Sequence, residues 1–163
     1  MRWIRHLFLD QLALTRAFPR ATLDAIGRAV AEQEKRHCGE LRVVIEGGLP
    51  IQALVSGRTA RERALDHFAR LRVWDTEDNA GVLIYLLLAD RRVEIVADRG
   101  IHARVGATAW ETISGAMQQE FAAGHFEAGV LTGLSAVSDL LAQHFPAKPG
   151  DNANELPDAP LVV

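Results

Sequence analysis

Between Val82 and Leu88 the chain carries seven consecutive apolar residues, the pattern of a strand buried on both faces. Ala89-Asp90-Arg91 follows as a tight polar turn, and Val93, Ile95 and Ala97 then alternate with Glu94 and Val96 as a second strand would. Antiparallel pairing returns the chain to its starting point. The loop leading into the hairpin (Asp75, Glu77, Asp78, Asn79) and the loop leaving it (Asp98, Arg99, His102) are therefore expected side by side at one end of a sheet. That end is rich in carboxylates.

Elsewhere the apolar spacing is helical. Trp3, Ile4, Leu7, Phe8 and Leu12 share one face of a segment over residues 3–18, with Arg2, Arg5 and Arg16 off that face. Such a helix either packs on its own domain or a partner, or lies on a membrane surface through residues 3–14. Pro19 closes it. A helix from about Thr22, taken as N-cap, to His37 has Leu23, Ile26 and Val30 as its core stripe. Residues 41–46 read as a short strand ended by Gly47-Gly48. Thr59-Ala60-Arg61-Glu62 has the capping-box pattern and opens a helix whose Leu65, Phe68 and Leu71 are expected to face the core. Thr108-Ala109-Trp110-Glu111 has the same pattern, followed by a stripe of Trp110, Ile113, Met117 and Phe121. Phe126, Val130, Leu134, Val137 and Leu141 mark a last helix.

The order is helix, helix, strand, helix, strand, strand, helix, helix. A right-handed crossover makes strands 41–46 and 82–88 parallel, and the fold class is α/β: a three-layer α/β/α sandwich with a small mixed sheet and helices on both faces. Parallel pairing puts Glu40 and Arg42 at the end that holds Asp78 and Asp98, and Glu46 at the other end, outside the expected site. The domain limits are an N-terminal amphipathic helix over 1–18, a central domain over 19–146 and a flexible tail over 147–163, the last read from its Pro, Asn, Asp and Gly content.

Composition narrows the function classes. The net charge of −3 argues against a dedicated nucleic-acid binder. Residues 1–74 carry a balance of +5 and residues 75–163 one of −8, so cations are the natural partners of the acidic half. The single cysteine, Cys38, excludes an internal disulfide and any CxxC motif. No apolar run has membrane-spanning length and no signal-peptide core is intact, which reads as a cytoplasmic chain, with peripheral contact at the inner membrane face left open. Gly47-Gly48 lacks the spacing and following helix of a phosphate loop, so no organic cofactor is expected.

Four segments in order, Asp78-Asn79-Ala80-Gly81-Val82-Leu83-Ile84, Asp90-Arg91-Arg92-Val93-Glu94-Ile95, Asp98-Arg99-Gly100-Ile101 and Gly124-His125-Phe126-Glu127-Ala128-Gly129-Val130-Leu131, resemble the TPM domain. That family includes thylakoid-lumen proteins of photosystem repair and many bacterial proteins. The resemblance spans about residues 20–145. Ala80 is an insertion against the family pattern, and Asp98-Arg99-Gly100 replaces its usual Gly-Tyr-Gly. The chain is most similar to a short cytoplasmic bacterial branch. The resemblance implies an α/β sandwich, divalent-ion binding in some members, acid phosphatase activity in the plant branch, and a LemA-like or longer TPM protein as partner.

Asp75, Asp78, Asn79 and Asp98 supply the oxygen ligands that a hard ion such as Ca2+ or Mg2+ takes from loops; the alternative is ordinary turn chemistry. In a phosphatase built here, Asp78 and Asp98 would hold metal, Arg99 or Arg104 would bind phosphate oxygens and His102 would donate the proton. Two functions follow: a noncatalytic, cation-binding accessory domain acting with a membrane-associated protein partner, or a metal-dependent phosphomonoesterase.

Overall fold

The computed structural model describes His6, residues 11–150 and residues 154–163. Strand β1 (Glu40–Glu46) runs parallel to β2 (Gly81–Leu87), and β2 runs antiparallel to β3 (Arg92–Ala97). Every residue of β1 and β2 is buried, as their continuous apolar runs require. A 3-10 turn over Leu88–Asp90 and a left-handed Arg91 (φ 50°) close the hairpin where the sequence placed its turn.

Strand pleating sends alternate side chains to two separate cores. Val82, Ile84 and Leu86 face one layer, formed by α1 (Gln11–Ala17), α2 (Arg20–Glu34), α5 (Arg99–Val105), α6 (Ala107–Ala122) and α7 (Phe126–His144). Leu83, Tyr85 and Leu87 face the other, formed by α3 (Ile51–Val55) and α4 (Ala60–Arg70). The three-layer α/β/α sandwich and its mixed sheet are therefore as the element order implied.

Local details differ. The segment over residues 147–163, expected to be a flexible tail, is instead laid on the sheet over its last ten residues: β4 (Leu161–Val162) pairs parallel with β1, giving the order β3-β2-β1-β4. β1 needs a partner on its second side, and Val163 N–H donates to Ile45 O at 2.9 Å while Gly47 N–H donates to Val163 O at 3.2 Å. The helix expected from Thr22 starts earlier, with Pro19 in the N-cap position, and the Thr22 hydroxyl donates to Glu127 of α7. The Thr59 capping box forms as read, with Thr59 N–H donating to Glu62 at 2.7 Å. The Thr108 box does not. Gly106, at φ 80°, starts α6 two residues before it, so Thr108 lies inside the helix. On α4 the buried face is Ala64 and His67, and Leu65 is 46% exposed.

Of the expected N-terminal helix, Trp3, Ile4, Leu7 and Phe8 lie outside the described residues. Leu14 and Phe18 are buried in the first core, while Leu12 is exposed. His6 is buried and bridges two loops at the far end of the sheet, meeting Asp90 at 3.1 Å and accepting Leu49 N–H at 2.9 Å.

Candidate functional site

The acidic end of the sheet is built by two backbone segments in contact. Thr76 is buried, and its hydroxyl accepts Ala80 N–H at 3.2 Å while its carbonyl accepts Asn79 N–H at 3.2 Å. This turn holds Asn79 in the left-handed region (φ 53°), a conformation that asparagine tolerates. Opposite it, Asp98 N–H donates to Gly81 O at 2.8 Å. Asp98 is then the N-cap of α5, its Oδ1 accepting Arg99 N–H at 2.7 Å. The segment expected as a loop is thus the first turn of a helix. Gly100 permits the approach: a Cβ there would collide with Asn79 O and stand 3.1 Å from Asp78 O.

The backbone of Asp78 and Asn79 thus packs against Gly100, two residues after Asp98, while the other candidates have their own surroundings. Asp75 is exposed and pairs with Arg72 at 2.9 Å. Arg99 is exposed on the first turn of α5. His102 turns into a different groove of about 570 Å³, beside Phe68, β3 and Trp110. Arg104, on α5, reaches the end of α7, donating to His144 O at 2.7 Å with its guanidinium 4.4 Å from the Phe145 ring centroid. Arg104 is thus engaged at the end of α7, and His102, whose backbone N–H donates to Asp98 O at 2.9 Å, lines that groove with its ring. Among the described residues no three His, Cys, Asp or Glu side chains gather as a metal-holding group.

One atom at this end stands out. Asp98 is only 7% exposed, and its Oδ2 has no hydrogen-bond partner among the described residues. A buried carboxylate oxygen without a partner is costly. Asp78 is partly occupied, with the Lys148 ammonium 3.4 Å from Oδ1.

The opposite end of the sheet holds a tighter polar centre that sequence reasoning set aside with Glu46. Glu46 is buried and receives Arg63 through Nε at 3.1 Å and Nη2 at 2.6 Å, and the Tyr85 hydroxyl at 2.5 Å. His67 stacks on Tyr85, ring centroids 5.6 Å apart, with its Nε2 3.5 Å from Glu46 Oε2. Burial pushes the Glu46 carboxyl up, but hydrogen bonds from His67, Arg63 and Tyr85 and the Arg63 charge outweigh it and hold it at about 2. Burial, then the Glu46 charge and hydrogen bond, push the Tyr85 hydroxyl up. The signal was present in the sequence: a tyrosine inside an apolar run needs a partner for its hydroxyl, and Arg63 and His67 at i, i+4 share one helix face.

A third polar pair, His37 with Ser138, is fully buried. His37 Nε2 lies 3.1 Å from Ser138 Oγ, and its Nδ1 lies 2.9 Å from Gly39 O. Burial lowers the imidazole to about 4. The pair joins α7 to the start of β1.

Comparison with known proteins agrees with this fold. No curated protein matches the chain. The NMR structure of the BA42 protein from the psychrophilic bacterium Bizionia argentinensis is 32% identical, with TM-score 0.76, covering 88% of this chain and 93% of that one. The solution NMR structure of the N-terminal domain of a P. gingivalis protein, 20% identical with TM-score 0.61 over 79% of this chain and 81% of that one, shares the fold. The model of the TPM domain matches residues 14–140, and the chain belongs to that family.

Proposed function

We propose that this TPM domain is a noncatalytic accessory domain that holds a divalent cation, Ca2+ or Mg2+, at Asp98 together with Asp78 and Asn79, and acts through a protein partner. The observation that carries the reading is the buried, unpartnered Oδ2 of Asp98, at the start of the helix whose Gly100 packs against the Asp78–Asn79 turn. The donors present fit a hard ion: two carboxylates, one amide oxygen and the adjoining backbone carbonyls, with water completing the shell. A bound ion would give Asp98 the partner it lacks and would tie the turn to α5.

The engagement of Arg104 with His144 O and the placing of His102 on a separate groove support the noncatalytic reading over phosphomonoester hydrolysis, which needs a proton donor and a phosphate clamp at the metal. Trp74, 48% exposed and adjoining the acidic turn, supports a protein partner, since an exposed tryptophan is a common interface anchor. Among the described residues no helix is long and apolar enough to cross a membrane. Our reading places the domain in the cytoplasm, with its partner at the membrane.

The test is a Ca2+ and Mg2+ titration of chelator-treated protein followed by amide NMR, with Asp98→Asn as control. Saturable shifts confined to residues 76–81 and 98–101, absent in the variant, are expected. Unchanged spectra at millimolar ion would end the cation reading.

A further inference from the structure

Strand β3 is an outer strand of the sheet, and it borders the groove of about 570 Å³ that His102 lines. Asp98 N–H donates back to Gly81 O at the start of β2. Alternation along an antiparallel ladder then turns Val96 and Glu94 toward β2, and turns the N–H and C=O groups of Val93, Ile95 and Ala97 outward. Two of these outward groups are held by the flanking helices. Gln118 of α6 accepts Val93 N–H at 3.1 Å, and Arg61 of α4 donates to Ile95 O at 2.6 Å. The N–H groups of Ile95 and Ala97 have no partner among the described residues.

The walls of the groove are apolar beside this edge. Leu65, 46% exposed, and Phe68 come from α4, and Trp110 comes from α6. Trp110 is 5% exposed, and its indole Nε1 is buried with no acceptor among the described residues. A buried indole N–H ordinarily has one. The charges lean acidic: Glu94 and Glu111 line the groove against the single guanidinium of Arg61. Arg61 stands 3.8 Å from Glu94, and Glu111 has no cationic partner among the described residues.

We propose that this groove is a strand-addition site, which takes an extended apolar segment of a partner protein, flanked by basic residues, as an added strand beside β3. The proposal rests on the partner reading above and adds where and how that partner binds. The segment's backbone pairs with Ile95 and Ala97, and its alternate side chains fall toward Leu65 and Phe68 on one face and Trp110 on the other. Arg61 leaves Ile95 O for the Glu94 carboxylate as the segment enters, and an oxygen of the segment supplies the acceptor that Trp110 Nε1 lacks. The flanking basic residues meet Glu94 and Glu111. A second copy of this chain fits less well, because Arg61 and Gln118 reach round the edge from both helices, a protection against sheets joining edge to edge.

The test titrates the peptide acetyl-Lys-Val-Thr-Val-Thr-Val-Lys-amide into the isotope-labelled full chain, chelator-treated so that the cation site plays no part, and follows amide and indole resonances by NMR. Saturable shifts are expected at the Ile95 and Ala97 amides and the Trp110 indole. A copy of the peptide N-methylated throughout its Val-Thr core keeps the side chains and charges but cannot form a ladder, and should not bind. Glu111→Lys, exposed on α6, should weaken binding about fivefold, the upper range for one exposed charge pair. No saturable shift at millimolar peptide, or equal binding of the N-methylated copy, would overturn the strand-addition site and leave the cation reading untouched. Shifts confined to Trp74 and residues 76–81 would keep a partner but move it off β3, and broadening of the β3 amides with protein concentration alone would give the groove to a second copy; either overturns the proposal.

Discussion

Replacing Glu46 by Gln tests how much of the domain's stability rests on one buried charge. The carboxylate is 3% exposed, receives two hydrogen bonds from Arg63 and one from Tyr85, and loses its charge in the variant with little change in volume. Its lowering from 4.5 to about 2 corresponds to about 3 kcal/mol at ~1.4 kcal/mol per tenfold in proton affinity. Breaking a buried ion pair by neutralising one member costs a similar ~3–5 kcal/mol. The sign follows from the depressed value: the stabilisation is complete above about pH 4.5 and is lost as pH falls toward about 2. His37 acts in a different window. Buried and lowered from 6.5 to about 4, it takes up a proton on unfolding only below about pH 6.5, so it leaves stability untouched above that value and lowers it progressively as pH falls toward about 4. The assay is urea denaturation of wild type and Glu46→Gln at intervals from pH 7 to pH 2.5. The variant should be about 3 kcal/mol less stable at pH 7, and the gap should narrow below pH 4.5. A loss under 1 kcal/mol, or a gap that does not shrink in acid, would refute the reasoning.

Three further substitutions probe packing and capping. A Gly81→Ala methyl would overlap the Val73 carbonyl oxygen; because backbone cannot yield as a side chain does, a loss at or beyond the upper end of the usual ~1–3 kcal/mol for overpacking is expected by thermal denaturation. Leu134→Ala removes a fully buried side chain of α7 and should cost about 2–5 kcal/mol in the same measurement. Thr59→Ala removes the side-chain half of the α4 capping box and should cost about 1 kcal/mol, with amide exchange accelerating at Glu62.

The central elements were legible because one periodicity governed each of them. Residues 82–88 could be little other than a strand buried on both faces, and the residues between the first strand and this one fixed a parallel crossover. The segment over residues 154–163 was not legible. Its Pro-, Asn- and Asp-rich composition describes its preference when alone, whereas its structure is set by the open edge of β1 and by Arg42, which gathers two of its carbonyls. Leu65 misled for a related reason: on a short helix packed by Ala64 and His67, a leucine beside the stripe is left outside. At the candidate site hairpin geometry placed the segment of Asp78 and Asn79 beside the segment that begins at Asp98, and the backbone contact between them follows it. The sequence could not foresee that Asp98 begins a helix, because Arg99-Gly100 looks like a loop. That helix is what carries Arg104 to α7 and His102 into its own groove. Glu46 was set aside on position alone, although the lone tyrosine in the neighbouring strand pointed to it.

The pairing of β4 with β1 also constrains the order in which the molecule assembles. β2 and β3 meet across a four-residue connection, and β1 meets β2 after one intervening crossover, but Val44 and Leu161 are 117 residues apart. Closing so long a loop for a two-residue strand is entropically the least rewarded step in the sheet, so it comes last. A chain emerging from the ribosome has β1, β2 and β3 in hand long before residue 161 appears. Throughout that interval one side of β1 is bare, and a second nascent chain can reach it. Docking of residues 154–163 is thus the last step in completing the sheet, and a variant lacking them is expected to keep the layers of the fold while self-associating through β1.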